Sequence, residues 1–148
     1  MPMKIEFMTA VPVTQRESVE RLFFFNAAQS MRIKQIRVAV ERYGAPTVTE
    51  LDGKISLGVN GEAMQCLFAC DHASPELKVA GVVLYLRPQA DRLVIAHLAV
   101  SEAYTHREDP DAFGICGKLI EQVRRIAQRI KGVERIQLPY QSERFLSV

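Results

Sequence analysis

Three stretches decide the reading: Val79-Ala80-Gly81-Val82-Val83-Leu84, Ile95-Ala96-His97-Leu98-Ala99-Val100 and Gly114-Ile115-Cys116-Gly117-Lys118-Leu119-Ile120. The first lies in an almost continuous apolar run from Leu77 to Leu86, the second in another from Arg92 to Val100. Apolar runs of this length without polar alternation predict strands buried on both faces. The segment Arg87 to Asp91, with Pro88 inside it, turns the chain between them. The third stretch opens a helix predicted over 113–131. Its Ile115, Leu119, Val123, Ile126 and Ile130 form one apolar stripe, and Lys118, Arg124, Arg125, Arg129 and Lys131 surround it. Gly132 stops this helix, and Val133 to Tyr140 reads as a last strand.

Working outward, residues 3–8 form a short candidate strand. Helical spacing then runs from Gln15 to Tyr43, carried by Val19, Phe23, Ala27 and Met31 and continued by Ile33, Ile36 and Val40 in a shifted phase. The shift between Asn26 and Arg32 predicts either a bend or two successive helices. Gly44-Ala45-Pro46 ends the helical stretch. Candidate strands Lys54 to Val59 and Glu62 to Cys70 flank Asn60-Gly61, a strong two-residue hairpin signal. Strand, helices, antiparallel strands, helix and strand in this order predict an α+β, or mixed α/β, layered fold with a mostly antiparallel mixed sheet flanked by helices.

The chain of 148 residues is 48% hydrophobic and 24% charged, which suits one domain over 1–148 and argues against disorder. A formal charge of +2 argues against general nucleic-acid binding. No run approaches the roughly 18 apolar residues of a membrane span. The first residues lack the pattern of a signal peptide, and three cysteines do not suggest a disulfide framework. A cytoplasmic location without membrane association is the expectation. Cys66, Cys70 and His72 invite a metal reading. However, Cys66 and Cys70 on one straight strand stand about 13 Å apart, too far to share a zinc ion bound at about 2.3 Å. No metal is expected.

The two buried strands and the glycine-started helix together resemble the GNAT superfamily of acyl-CoA-dependent N-acetyltransferases, over residues 54 to 140. In that family a Val-x-Gly-like strand precedes a strand ending in Leu-Ala-Val, and a glycine-containing loop opens the next helix. The resemblance implies a GNAT-like acyl-CoA N-acyltransferase fold that takes acetyl-CoA as cosubstrate and an amine of unknown identity as acceptor. It implies that Phe113, Gly114, Ile115, Cys116, Gly117 and Lys118 meet the CoA pyrophosphate. A helix N-terminus suits that task through its unpaired N–H groups and partial positive charge. It also implies that Leu98, Ala99 and Val100 pair with the pantetheine arm and present the thioester.

For the proton transfers the candidates are His97 and Glu102 as bases, and Tyr104 and Tyr140 as acids. Alternation along the strand places His97 on the face opposite Leu98. The family's usual base positions hold Ala96 and Val94, and Asp111 stands where the family carries Gln or Arg. From these departures, and from the short stretch after the last strand, comes an alternative: a non-catalytic GNAT-fold module, binding CoA or not. It would act as a homodimer whose partner completes the sheet.

Overall fold

The computed structural model describes residues 4–24, 33–60, 62–73, 75–104, 114–138 and 145–148. Along the chain run β1 (Ile5–Met8), β2 (Val11–Pro12), a 3₁₀ turn (Val13–Gln15), α1 (Arg16–Phe24), α2 (Ile33–Tyr43), β3 (Pro46–Leu51), β4 (Lys54–Val59) and β5 (Glu62–Ala63). Then come β6 (Gln65–Asp71), β7 (Lys78–Gln89), β8 (Arg92–Val100), a second 3₁₀ turn (Glu102–Tyr104), α3 (Gly114–Gln128), β9 (Arg135–Gln137) and β10 (Phe145–Ser147). This is a mixed α+β architecture, as the order of elements predicts.

Six strands in the order β1-β6-β7-β8-β9-β10 form the central sheet. All its ladders are antiparallel except β8–β9, which is parallel and pairs Arg92–Val94 with Arg135–Gln137. β4 organises a smaller sheet by pairing with β2, β3 and β5. The Asn60-Gly61 signal corresponds to the β4–β5 hairpin, with Asn60 at φ +51°. Past Met64 the chain changes sheets, so β6 pairs with β1 and β7 instead of continuing beside β4. β3 is a strand the sequence reading missed. It joins β4 through Asp52-Gly53, both at positive φ (+54° and +76°), the conformation that two-residue hairpins favour.

The central sheet is covered on both faces, which is why its strands show so little polar alternation. On one face, Ile115, Leu119, Val123 and Ala127 of α3 pack on Leu67, Val83, Leu93 and Leu98. On the other, Val19 and Leu22 of α1 and Ile55 and Leu57 of β4 pack on Phe68, Val82, Leu84 and Ala99. Burying a side chain the size of Phe68 contributes about 1.5–3 kcal/mol. α3 lies so close to β7 that a Cβ on Gly81 would stand 3.0 Å from both the Ala99 carbonyl oxygen and Ile115 Cγ2. Only glycine allows that approach without displacement.

One irregularity shapes β8. Opposite β7, Leu84 pairs with His97 and the next residue, Tyr85, with Ile95, so Ala96 is an extra residue in β8. This bulge lets Ile95 and Leu98 share the α3 face, while Ala99 lies in the opposite core. The outer edge of β9 is occupied by β10, which the sequence reading did not assign; it is not the open edge expected for a truncated sheet.

Candidate functional site

The end of β8 and the start of α3 meet at Gly81. Gly81 is paired with Val100, and its α-carbon faces Ile115 and Leu119. Leu98 is buried on the α3 face, Ala99 is buried on the other, and Val100 is half-buried. Beyond the strand, Ser101 N–H donates to the Ala80 carbonyl at 2.8 Å, holding the exit of β8 against β7. α3 opens on Gly114 at φ +58°, a left-handed conformation natural to glycine. Ile115 points into the core, Cys116 is exposed, and Gly117 and Lys118 are half-buried. Of the residues implied for cofactor binding, all but Phe113 therefore lie at one junction; Phe113 is outside the described residues.

The candidate acids and bases are dispersed. His97 is 1% exposed, and its Nε2–H donates to the Gly44 carbonyl at 2.8 Å. Burial holds its pKa below the ordinary histidine value, the bond to Gly44 opposing that only in part. Gly44 caps α2 by donating its N–H to the Val40 carbonyl, so His97 ties the end of α2 to the middle of β8. Glu102 lies in the 3₁₀ turn after β8. Tyr140 is outside the described residues.

Tyr104 ends that same turn, and its hydroxyl donates to Asp71 Oδ2 at 2.7 Å. Asp71, 8% exposed at the end of β6, also accepts at Oδ1 from Lys4 N–H (3.1 Å) and Ala73 N–H (2.9 Å). Burial alone would raise the Asp71 pKa. The bonds from Tyr104, Ala73 and Lys4 and the charge of Lys78 outweigh it and hold the carboxyl below its ordinary range. Tyr104 is shifted the other way, upward, by burial and by the carboxylate it faces. Asp71 was not singled out in the sequence. The one signal was a carboxylate closing a run, Cys66 to Cys70, otherwise suited to a core.

Next to Tyr104 opens a cleft of about 740 Å³. It is lined by α1, by the residues from Glu76 into the start of β7 at Val79, and by Ser101 and Tyr104. Gln15 crosses it, its side-chain N–H donating to the Leu77 carbonyl at 3.0 Å. The volume falls within the range of small-molecule sites, about 300–1,000 Å³.

Among the described residues no group of histidines, cysteines and carboxylates is arranged to hold a metal ion. Cys66 and Cys70 are free buried thiols. Burial raises both pKa values, that of Cys70 to about 11 with help from Glu6. None of the described helices is long and apolar enough to cross a membrane. No family model, curated protein or solved structure matches the chain.

Proposed function

We propose that the chain binds acyl-CoA at the junction of β8 and α3 and transfers the acyl group, an acetyl group in the simplest case, to an amine, as a GNAT-like N-acetyltransferase. The observation carrying this reading is the convergence of the Leu98–Val100 strand end and the Gly114-started helix at Gly81. In it, the first N–H groups of α3 take the pyrophosphate. The backbone around Leu98 to Val100 orients the thioester and polarises its carbonyl.

The amine nitrogen attacks the carbonyl carbon, a C–N bond forms and the C–S bond breaks. CoA leaves as thiolate and takes up a proton, while the product amide loses one. Proximity within the ternary complex supplies much of the rate. His97 and Tyr104 are both committed to bonds within the protein, so their support for acid–base roles is structural at most. That commitment favours a second reading, a CoA-binding module without turnover, because it leaves the binding junction intact and the chemistry unassisted.

The test is calorimetric titration with acetyl-CoA, alongside desulfo-CoA and pantetheine. Binding in the micromolar range that is lost with pantetheine supports the junction. Replacing exposed Cys116 by Asp (C116D) places a carboxylate at the start of α3. That substitution should keep or raise stability by about 0.3–1 kcal/mol through the helix dipole. It should weaken acetyl-CoA at least about tenfold by repelling the pyrophosphate. No binding at millimolar acetyl-CoA overturns both readings; binding without CoA release in the presence of an amine panel selects the second.

A further inference from the structure

We infer that the start of β8 carries an anion site, built around Arg92 and suited to the phosphate group of a small molecule. Arg92 is half-buried, and its Nε is covered by protein yet has no hydrogen-bond partner. The carboxylate next to it in sequence, Asp91, is engaged instead by Arg135 at 3.4 Å. A covered donor on an unpaired cation is costly, and native structures rarely keep one without a reason. An anion against the same guanidinium offsets that cost.

Strand register surrounds Arg92 with further donors. Leu93 and Ile136 belong to the core under α3, so alternation places Arg92 and its partner Arg135 on the opposite face of the sheet. On that face Gln89 stands beside Arg92 across the β7–β8 hairpin, and Ser147 beside Arg135 across the β9–β10 ladder. Four neighbouring strands thus contribute one polar row, with about 5 Å from strand to strand. Arginine side chains only donate, and the exposed Gln89 amide and Ser147 hydroxyl can donate as well, which selects an oxyanion. A planar guanidinium takes phosphate oxygens in pairs, and the half-buried stem of Arg92 lowers the cost of ordering it.

The segments that meet here are basic. Asp91 accepts at its carbonyl from Glu134 and Arg135 N–H, and Arg87 donates to the Lys131 carbonyl, which joins 87–92 to 129–135. These two segments hold five cations, Arg87, Arg92, Arg129, Lys131 and Arg135, against two carboxylates. That excess of three stands in a chain whose formal charge is only +2. A local excess of this kind concentrates anions at the surface. The site is separate from the junction of β8 and α3, because β8 extends about 26 Å from Arg92 to Val100. It therefore does not rest on the acyl-transfer reading.

The experiment is a backbone-amide NMR titration of the whole chain with methyl phosphate at constant ionic strength, with acetate as control. Expected are shifts within 89–94 and 134–137, half-saturation in the millimolar range and a response to acetate at least about fivefold weaker. Arg92→Met keeps an unbranched apolar stem and removes the cation, and should weaken the methyl phosphate response at least about tenfold. Without phosphate its Tm should equal or exceed that of the wild type, because no partner is lost; with phosphate only the wild type should gain Tm. Asp91→Asn releases Arg135 from its carboxylate and should tighten methyl phosphate about twofold, a gain that a purely structural arginine would not produce. No response at about 50 mM methyl phosphate overturns the assignment. So does an equal response to acetate, or one confined to 114–118 at the start of α3. An Arg92→Met variant that loses Tm but keeps the titration shows a structural arginine satisfied by water, and also overturns it.

Discussion

Replacing Tyr104 by Phe removes one hydroxyl and keeps the ring, so its effect isolates the bond to Asp71. That bond is 2.7 Å long and ends on a carboxylate only 8% exposed. A hydrogen bond to a charged group contributes about 1.5–3 kcal/mol. Asp71 keeps the Lys4 and Ala73 N–H groups in the variant, so it is not orphaned. The middle of that range, about 2 kcal/mol, is therefore the expected loss. For a chain of this size it corresponds to roughly 4–8 °C in Tm.

The pH dependence gives a sharper check. Asp71 is held below its ordinary pKa, so its contribution is complete above about pH 4 and is lost as pH falls further. Tyr104 is raised above its ordinary value, so the fold keeps a proton that the unfolded chain releases near pH 10, and that contribution is lost as pH rises beyond it. Urea unfolding of both proteins at about pH 3, 7 and 10.5 should show the full difference at neutrality and a smaller one at either extreme. A difference below about 0.5 kcal/mol at pH 7, or one that does not change with pH, refutes the reasoning.

Gly81→Ala drives a methyl group to 3.0 Å from Ala99 O and Ile115 Cγ2, and overpacking of this kind costs about 1–3 kcal/mol. Because the strain falls where β8 meets α3, chemical denaturation should register the loss and calorimetry a weaker acetyl-CoA affinity. His97→Leu leaves the Gly44 carbonyl without its donor, at about 1–3 kcal/mol by chemical denaturation at pH 7. Wild-type stability should also fall as pH drops below about 6.5, where the unfolded chain protonates this histidine and the fold resists. The Leu variant should lose that component of the acid slope.

What was legible in the sequence is what hydrophobic periodicity encodes. The bounds of β8 agree with its apolar run, Arg92 to Val100, and the α3 stripe reappears as Ile115, Leu119 and Val123 in the core. The helical spacing on either side reappears as α1 and α2, while the phase shift itself, between Asn26 and Arg32, lies outside the described residues. β3 was missed because Thr47, Thr49 and Glu50 lie on a small sheet whose half-buried residues carry no strong pattern, although Asp52-Gly53 marked the turn. At the candidate site, glycines and a helix start can be read locally. The tie from His97 to Gly44 spans 53 positions and the bond from Tyr104 to Asp71 spans 33, so neither leaves a local trace. Pro88 shows the same limit. It reads as a turn, yet β7 continues to Gln89 because the β7–β8 register skips between Leu86 and Gln89, where a missing N–H costs nothing.

The pairing of β1 with β6 has a consequence for synthesis of the chain. Ile5 finds its partner at Asp71, 66 positions later. At translation rates of about 5–20 residues per second, β1 has left the ribosome roughly 3–13 s before β6 exists to receive it. The meander β6-β7-β8, by contrast, closes through short loops as soon as it emerges. Throughout that interval Ile5 and Phe7 have no ladder to join, so the nascent chain carries an unmatched strand whose protection falls to chaperones or to transient pairing.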